Sequence, residues 1–363
     1  MQETAGQDTN SLIDCYVKSM SRIFQKLYRR WRHRLRVYIN FIINYLLLKR
    51  LRSRVRREGL NRQIIIVMLL EHLGDIVACE PIVRYLKENC PNTFIIWGVK
   101  RTYRELIESN PNIDLTLPVH CLTERMMLIN SGLCDEVVDL HFSDRYCSLC
   151  KNPLRKENNN SGINLTNYFN YGSLLSAMAQ SAGLPALYDG PKVYIPQSAI
   201  TKVDSVNLPS QFIVINCTSN ADAKAWPKEK WKILLQEIQA KYDIPVYEIG
   251  LRTFIDQTDS LCKSLCGQLS ILESAEVIRR AKLFIGIDSG PAHLANAVGT
   301  PGVILLGSYL GFNKYNPFSG LYGNGKNVKI VYAEDSISNI PVDKVINQVH
   351  RMMSISSNSI HAV

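Results

Sequence analysis

No apolar run in this sequence is long enough to cross a bilayer. The stretch from Val37 to Leu48 has 12 residues and is interrupted by Asn40 and Asn44. As a helix it would span about 18 Å, against a hydrocarbon core of about 30 Å. The first residues are not expected to form a secretory leader: Met1-Gln-Glu-Thr-Ala-Gly-Gln-Asp8 has neither a basic start nor an early apolar segment. Paired cysteine spacing is scarce. The ten cysteines are scattered and read as reduced cytosolic thiols. The one tight pair is Cys147-Ser-Leu-Cys150, and no second CxxC or HxxxH follows it. His141 and Cys134 lie upstream and could complete a zinc site, but two ordinary thiols is the favoured reading.

Basic excess is missing from most of the chain. Residues 1–62 hold 15 Lys/Arg against 4 Asp/Glu, and the remainder holds 27 against 28. The net charge of +10 therefore belongs to an N-terminal extension. A nucleic-acid-binding core would carry a basic face within the fold, so nucleic acid is not an expected partner. The extension brackets its apolar stretch with Arg29, Arg30, Arg32, Arg34 and Arg36 before it and Lys49, Arg50, Arg52, Arg54, Arg56 and Arg57 after it. That pattern fits an amphipathic segment on an anionic membrane surface. It fits equally a solvated basic helix packed on the body, or a disordered arm.

The body opens with Ile64-Ile-Ile-Val-Met-Leu-Leu70, a continuous apolar run typical of a parallel strand buried on both faces. A helix is expected over 76–89, a strand over 93–98, a short helix over 103–109 and a strand over 136–140. Residues 165–182 read as helical. The segment 185–209 is rich in proline and polar residues and reads as a linker. The pattern then restarts: strands over 211–216, 245–250, 283–287 and 302–306, and helices over 227–242, 272–282 and 291–298. Alternation of this kind is α/β and doubly wound. The expected division is a basic extension (1–62), a first Rossmann-like unit (63–200), a second (201–345) and a C-terminal tail (346–363), with a cleft between the units.

Three segments can carry chemistry. In Gly286-Ile-Asp-Ser-Gly-Pro-Ala-His293, a strand ends at Asp288 and a tight turn at Ser289-Gly290 opens a helix. Proline suits the first helical position, and Gly299 suits the residue past the helix end. Amides of Ser289 to Ala292 at the helix N-terminus form an anion site, and His293 can donate to the same phosphate. A plain strand–helix junction with a satisfied histidine is the alternative. The second segment, Asp222-Ala-Lys224-Ala-Trp226-Pro227, brings Lys224 to the same end of the sheet, where it can neutralise a diphosphate. Trp226 reads as packing. The third, Leu73-Gly74-Asp75, follows the first strand. Its carboxylate can act as a general base or cap the helix expected at Ile76.

Together, in this order and on these elements, the three motifs resemble the glycosyltransferase family that contains the bacterial lipopolysaccharide heptosyltransferases. The resemblance covers about residues 63–335. It implies a GT-B fold, with two Rossmann-like domains facing across a cleft. It implies inverting transfer from a nucleotide-diphosphate sugar, usually ADP-heptose, to a glycolipid or oligosaccharide acceptor at the cytoplasmic face of a membrane. Asp75 would be the base, with Lys224, Ser289, Gly290 and His293 around the diphosphate and Asp288 near the donor sugar. Ser219 and Asn220 fill positions where the family places donors to phosphate. No cofactor and no metal ligands are implied, and the sequence has no Asp-x-Asp; Lys224 and the helix terminus would take the place of Mg²⁺ at the leaving group. Two departures stand out. Glu71-His72 replace small hydroxyl residues on the acceptor side, and Asp256 is the only acid near the position that holds the donor ribose. A same-fold enzyme acting on a protein or capsular glycan with another nucleotide sugar, or a non-catalytic sugar-nucleotide-binding module, is the competing reading.

Overall fold

The computed structural model describes residues 5–57, 62–142, 145–151, 162–219, 224–308 and 315–358. Two parallel sheets organise the body. The first contains β1 (Gln63–Met68), β2 (Thr93–Val99), β3 (Leu115–Pro118) and β4 (Glu136–Asp139) in the order β3-β2-β1-β4. Ile66 of β1 pairs with Ile96 on one side and Val137 on the other, and β1 is buried from Ile64 onward. The second contains β5 (Ile213–Asn216), β6 (Val246–Glu248), β7 (Lys263–Ser264), β8 (Leu283–Ile287), β9 (Gly302–Leu306) and β10 (Val328–Tyr332) in the order β10-β9-β8-β5-β6-β7. In both sheets the strand order reverses next to the first strand. Parallel sheets open a crevice at such a point, outside the carboxyl ends of the strands.

Helices α2 (Leu73–Ala78), α3 (Pro81–Asn89), α4 (Glu105–Glu108), α5 (Leu122–Ile129), α6 (Leu174–Ser181) and α7 (Gln197–Asp204) belong to the first half. Helices α8 (Lys228–Tyr242), α9 (Ile271–Arg280), α10 (Gly290–Val298), α11 (Gly320–Gly323) and α12 (Val342–Asn358) belong to the second. The helix expected over 76–89 is two, because the chain turns at Cys79-Glu80 and Pro81 takes the first position of α3. The expected linker contains α7, which buries Ala199 and Val203. The expected tail is largely α12, whose Val345, Val349, Met352 and Met353 fill the core beneath α8.

The N-terminal extension is one helix, α1 (Ala5–Arg57). Val37, Leu48 and Val55 on one face join a core with Ile64, Ile66, Met68, Ile96 and Leu117 of the first sheet. Asn40 and Asn44 share that face. Both Nδ2 groups donate to the Pro118 carbonyl (3.0 and 2.9 Å) and to Glu124 Oε1 (2.6 and 2.8 Å). Between Val37 and Val55 one face of the basic helix is thus packed on the body. Among the described residues no helix is long and apolar enough to cross a membrane.

The two halves are stitched together. A single apolar cluster runs from Ile65 and Trp97 to Val214 and Phe284. Within the first half, Arg84 clamps Glu80 and donates to the Gly190 carbonyl at 2.6 Å. The Ile271 amide donates to Glu105 Oε1 at 3.0 Å, and Ser319 Oγ to the Asp189 carbonyl at 2.8 Å.

Candidate active site

The candidate residues gather where β1, β5 and β8 end. β8 delivers Asp288 and Ser289. Ser289 is the N-cap of α10 in extended conformation, and Gly299 closes that helix at φ 79°. The Ser289 hydroxyl donates to Asn216 Oδ1 at 2.8 Å, and Asn216 Nδ2 donates to the Ile249 carbonyl at 3.0 Å. These bonds tie the ends of β8, β5 and β6 together beneath the turn. The helix starts at Gly290, so Pro291 is its second residue, one place later than the sequence pattern suggests. The amides of Ala292 and His293 bond back to the Ser289 carbonyl (3.1 and 3.4 Å). An anion at this terminus is therefore left with the amides of Ser289 and Gly290, a narrower cradle than the four-residue turn expected.

Lys224 reaches the same point from the loop after β5. Its Nζ lies 2.5 Å from Asp288 Oδ2, and both side chains are about a quarter exposed (26% and 24%), so the pair is open to a ligand. Trp226 is fully buried, donates to the Ile340 carbonyl at 3.1 Å and packs edge-on against Trp231, as a core residue does. Ser219 lies half-buried in this loop. Asn220 lies outside the described residues.

Asp75 comes from the opposite half. Helix α2 begins at Leu73, so Asp75 sits in its first turn and not before it. Its Oδ2 accepts the His72 amide at 3.3 Å, which gives the carboxylate a role at the helix start from inside the helix. α2 packs directly on α10. A Cβ on Gly290 would stand 2.4 Å from Leu73 Cδ2, and one on Gly74 would stand 2.7 Å from His293 Cδ2. Both glycines are where the two halves touch.

His293 occupies the centre. It is buried against Phe318, with ring centroids 4.7 Å apart. Burial holds the imidazole below its ordinary pKa; Asp288 and Asp75 pull it up and Lys224 pushes it down, the smaller effects. One neutral ring therefore feels all three charged candidates. Its Nδ1 has no hydrogen-bond partner among the described residues. A buried polar atom left unpaired is costly, and such atoms mark sites completed by a ligand or water. Tyr315 also borders the site: burial raises its phenol most, and Asp288 and Asp75 add to the shift. No motif in the sequence points to Tyr315.

Two candidates stand apart. Glu71 is ion-paired with Lys100. Burial pushes its carboxyl up, but the Lys100 hydrogen bond and charge outweigh it and hold the group below its usual range. His72 beside it is exposed, and its charge adds only a smaller effect in the same direction. Asp256 pairs with Lys228 and Lys232 on α8 (2.8 and 3.5 Å), and its ion pairs among the described residues do not reach Lys224 or Asp288. Behind the Glu71 loop, the Leu70 amide donates to His141 Nε2 at 3.2 Å, while His141 Nδ1 contacts Asp139 Oδ1 at 3.0 Å. Sequence reasoning gave His141 no part in placing this loop.

Residues 173–310 match the family described as glycosyltransferase family 9 (heptosyltransferase). Among curated proteins, lipopolysaccharide heptosyltransferase 3 of Escherichia coli is 29% identical over 120 residues, which is 30% of this chain and 34% of that protein. The form from E. coli strain K12 is 28% identical over 116 residues, again 34% of its length. The chain thus spans about a third of the curated relatives it matches. Among solved structures, a family 9 glycosyl transferase from Veillonella parvula superposes with a TM-score of 0.60 at 19% identity, covering 81% of this chain and 98% of that one. The E. coli heptosyltransferase WaaC with ADP gives 0.56 at 15% identity, covering 80% and 100%. E. coli ADP-heptose heptosyltransferase II gives 0.56 at 16%, covering 81% and 99%. The fold is GT-B: two Rossmann-like units facing across a cleft.

Proposed function

We propose that this chain, related to glycosyltransferase family 9 through residues 173–310, is an inverting glycosyltransferase that takes a sugar, heptose in the first instance, from a nucleotide diphosphate. The observation that carries the reading is the convergence on His293. Asp75 from one half and the Lys224–Asp288 pair from the other border the same buried ring. Separate halves supplying a base and a diphosphate clamp is the arrangement a two-substrate transfer needs.

In the proposed reaction Asp75 removes the proton from the acceptor hydroxyl as its oxygen attacks the anomeric carbon. The bond from that carbon to the phosphate oxygen breaks on the opposite face, and the nucleoside diphosphate leaves with the electron pair. Lys224 turns from Asp288 to the leaving diphosphate, and the Ser289 and Gly290 amides receive its oxygens. The step needs no divalent cation. An ADP-sugar donor is proposed because the superposing WaaC structure is described with ADP and heptosyltransferase II is named for ADP-heptose.

The proposed acceptor is a glycolipid at the inner face of a membrane. The outer face of α1 presents Phe24, Tyr28, Trp31, Leu35, Ile39, Ile42 and Leu46 at helical spacing, with Phe24 73% and Trp31 62% exposed. Basic residues flank this stripe. An anionic leaflet satisfies both, at about 1 kcal/mol per Lys/Arg near the surface.

The test is turnover of ADP-heptose on a lipopolysaccharide-core acceptor without added Mg²⁺. Asp75→Ala is expected to lower kcat by about 10²–10⁴. Unchanged turnover in Asp75→Ala alongside loss in Lys224→Ala would remove Asp75 as base. Thermal stabilisation by UDP compounds alone would remove the ADP donor. For the membrane, the full chain is expected to sediment with anionic vesicles, and a Trp31→Glu/Ile39→Glu/Ile42→Glu variant to stay behind. Equal partitioning would end that part of the reading.

A further inference from the structure

Beneath α1 the fold brings together four side chains that the transfer site does not use. His33 comes from α1, Cys121 precedes α5, and Cys147 and Cys150 come from the loop after β4. Their ligand atoms all lie within 4.8 Å of one another. Cys147 Sγ is 3.5 Å from His33 Nε2, and Cys121 Sγ is 4.0 Å from Cys150 Sγ. A zinc tetrahedron with Zn–S of about 2.3 Å and Zn–N of about 2.05 Å has S···S edges near ~3.8 Å and S···N edges near ~3.5 Å. The Cys147–His33 and Cys121–Cys150 separations lie close to those edges.

We propose that His33, Cys121, Cys147 and Cys150 bind one Zn²⁺ that fastens α1 to the first sheet. The three cysteines are buried. The Cys150 amide donates to Cys147 Sγ at 3.4 Å, so a backbone N–H already turns toward the sulfur of a Cys-x-x-Cys loop. A metal-bound thiolate accepts such a bond. Arg34, next to His33, donates to the Cys150 carbonyl at 3.3 Å, so one turn of α1 grips both the ligand set and its loop. Four protein ligands leave no open position, which makes the site structural and not catalytic. Soft thiolates with one imidazole in a tetrahedron select zinc over the harder divalent cations. The residues that the sequence offers as completing ligands do other work. His141 is engaged by Asp139 and Leu70, and Cys134 is not in the cluster. The true partners lie 114 and 29 residues from the loop they join.

The test uses the full chain purified without chelator. Elemental analysis is expected to find one zinc per chain in the wild type and in Cys90→Ser, and almost none in Cys147→Ser/Cys150→Ser. Because the double variant can lose its fold, the wild type is also exchanged with Co²⁺. Tetrahedral ligand-field bands with thiolate-to-cobalt charge transfer are expected, and His33→Ala is expected to shift them. Zinc removal is expected to raise amide exchange along residues 23–57. Stoichiometric iron instead of zinc would overturn the zinc assignment. A folded wild type that takes up no zinc, an octahedral cobalt spectrum, metal retained by the double variant, or a disulfide among these thiols would overturn the site. None of these readouts depends on transferase activity.

Discussion

Gly74 of the first half and His293 of the second are in van der Waals contact, and a Cβ at position 74 would stand 2.7 Å from His293 Cδ2 and 3.2 Å from Nε2. The ring cannot withdraw, because Phe318 backs it. Gly74→Ala must therefore push α2 away from α10 and carry Asp75 with it. The expected cost is about 1–3 kcal/mol of stability, as for other overpacked contacts. Turnover should fall as well, because a base displaced by a fraction of an ångström loses its reach. Denaturant titration and kcat on the same preparation check both. No change in either would mean that the halves stand further apart in solution.

The Lys224–Asp288 pair gives a separate prediction. Both side chains are partly solvated, so breaking the pair should change stability by less than about 1 kcal/mol. Donor binding should change far more. In Lys224→Met the thermal shift produced by ADP is expected to shrink sharply, and KM for the donor to rise together with a fall in kcat. A shift of wild-type size would take Lys224 off the diphosphate.

How much of this was legible in the sequence depended on how local each feature is. Buried parallel strands are legible because both faces must be apolar: β1, β8 and β9 each stand out as unbroken runs. β3 buries only one of its four residues and β7 has just two, so neither carries an unbroken apolar run. Pro81 did mark the break between α2 and α3, but the apolar spacing on either side of it hid the signal. In the site, the turn at Ser289-Gly290 and its partner Lys224 are local to one unit and could be read. The burial of His293 could not, since it depends on Gly74, Leu73 and Phe318 arriving from elsewhere. The cysteine cluster was hidden for the same reason: His33 meets Cys147 only once α1 lies along the first sheet.

The Leu70–His72 segment that leads into the helix bearing Asp75 is held from behind by His141, and this contact sets a pH dependence. Its Nε2 accepts the Leu70 amide, so the ring must be neutral there. Burial lowers its pKa most, although Asp139 pulls the other way. A group with a depressed basic pKa takes up its proton first in the unfolded chain. The stability it contributes is full above the unfolded value, about 6.5, and is lost as pH falls below it. His141→Gln should therefore be clearly less stable than wild type at about pH 7.5, and the gap should narrow toward about pH 5.5. Thermal melts of both proteins at the two pH values check this. A gap that stays constant would mean that His141 does not titrate with folding.

Asn44 and Glu124 give a second pH dependence, with the buried group's pKa shifted upward instead of down. Glu124 is fully buried under α1 and accepts hydrogen bonds from Asn40, Asn44 and the His120 amide. Burial raises its carboxyl above the usual range, and those donors only partly restore it. Replacing Asn44 with Leu keeps the bulk but removes the donor shared by Glu124 and the Pro118 carbonyl. The expected loss is about 1–3 kcal/mol near neutral pH. The variant's carboxyl should rise further. A carboxyl whose folded pKa exceeds its unfolded value stabilises the fold fully below the unfolded pKa, about 4.3, and loses that contribution as pH climbs through the folded one. The deficit of Asn44→Leu should thus be larger at about pH 7.5 than at about pH 5, and it should grow through the carboxylate range rather than the imidazole range. Denaturation at both values checks this. Equal deficits would place the cost on the Pro118 carbonyl alone and leave Glu124 without a part in docking α1.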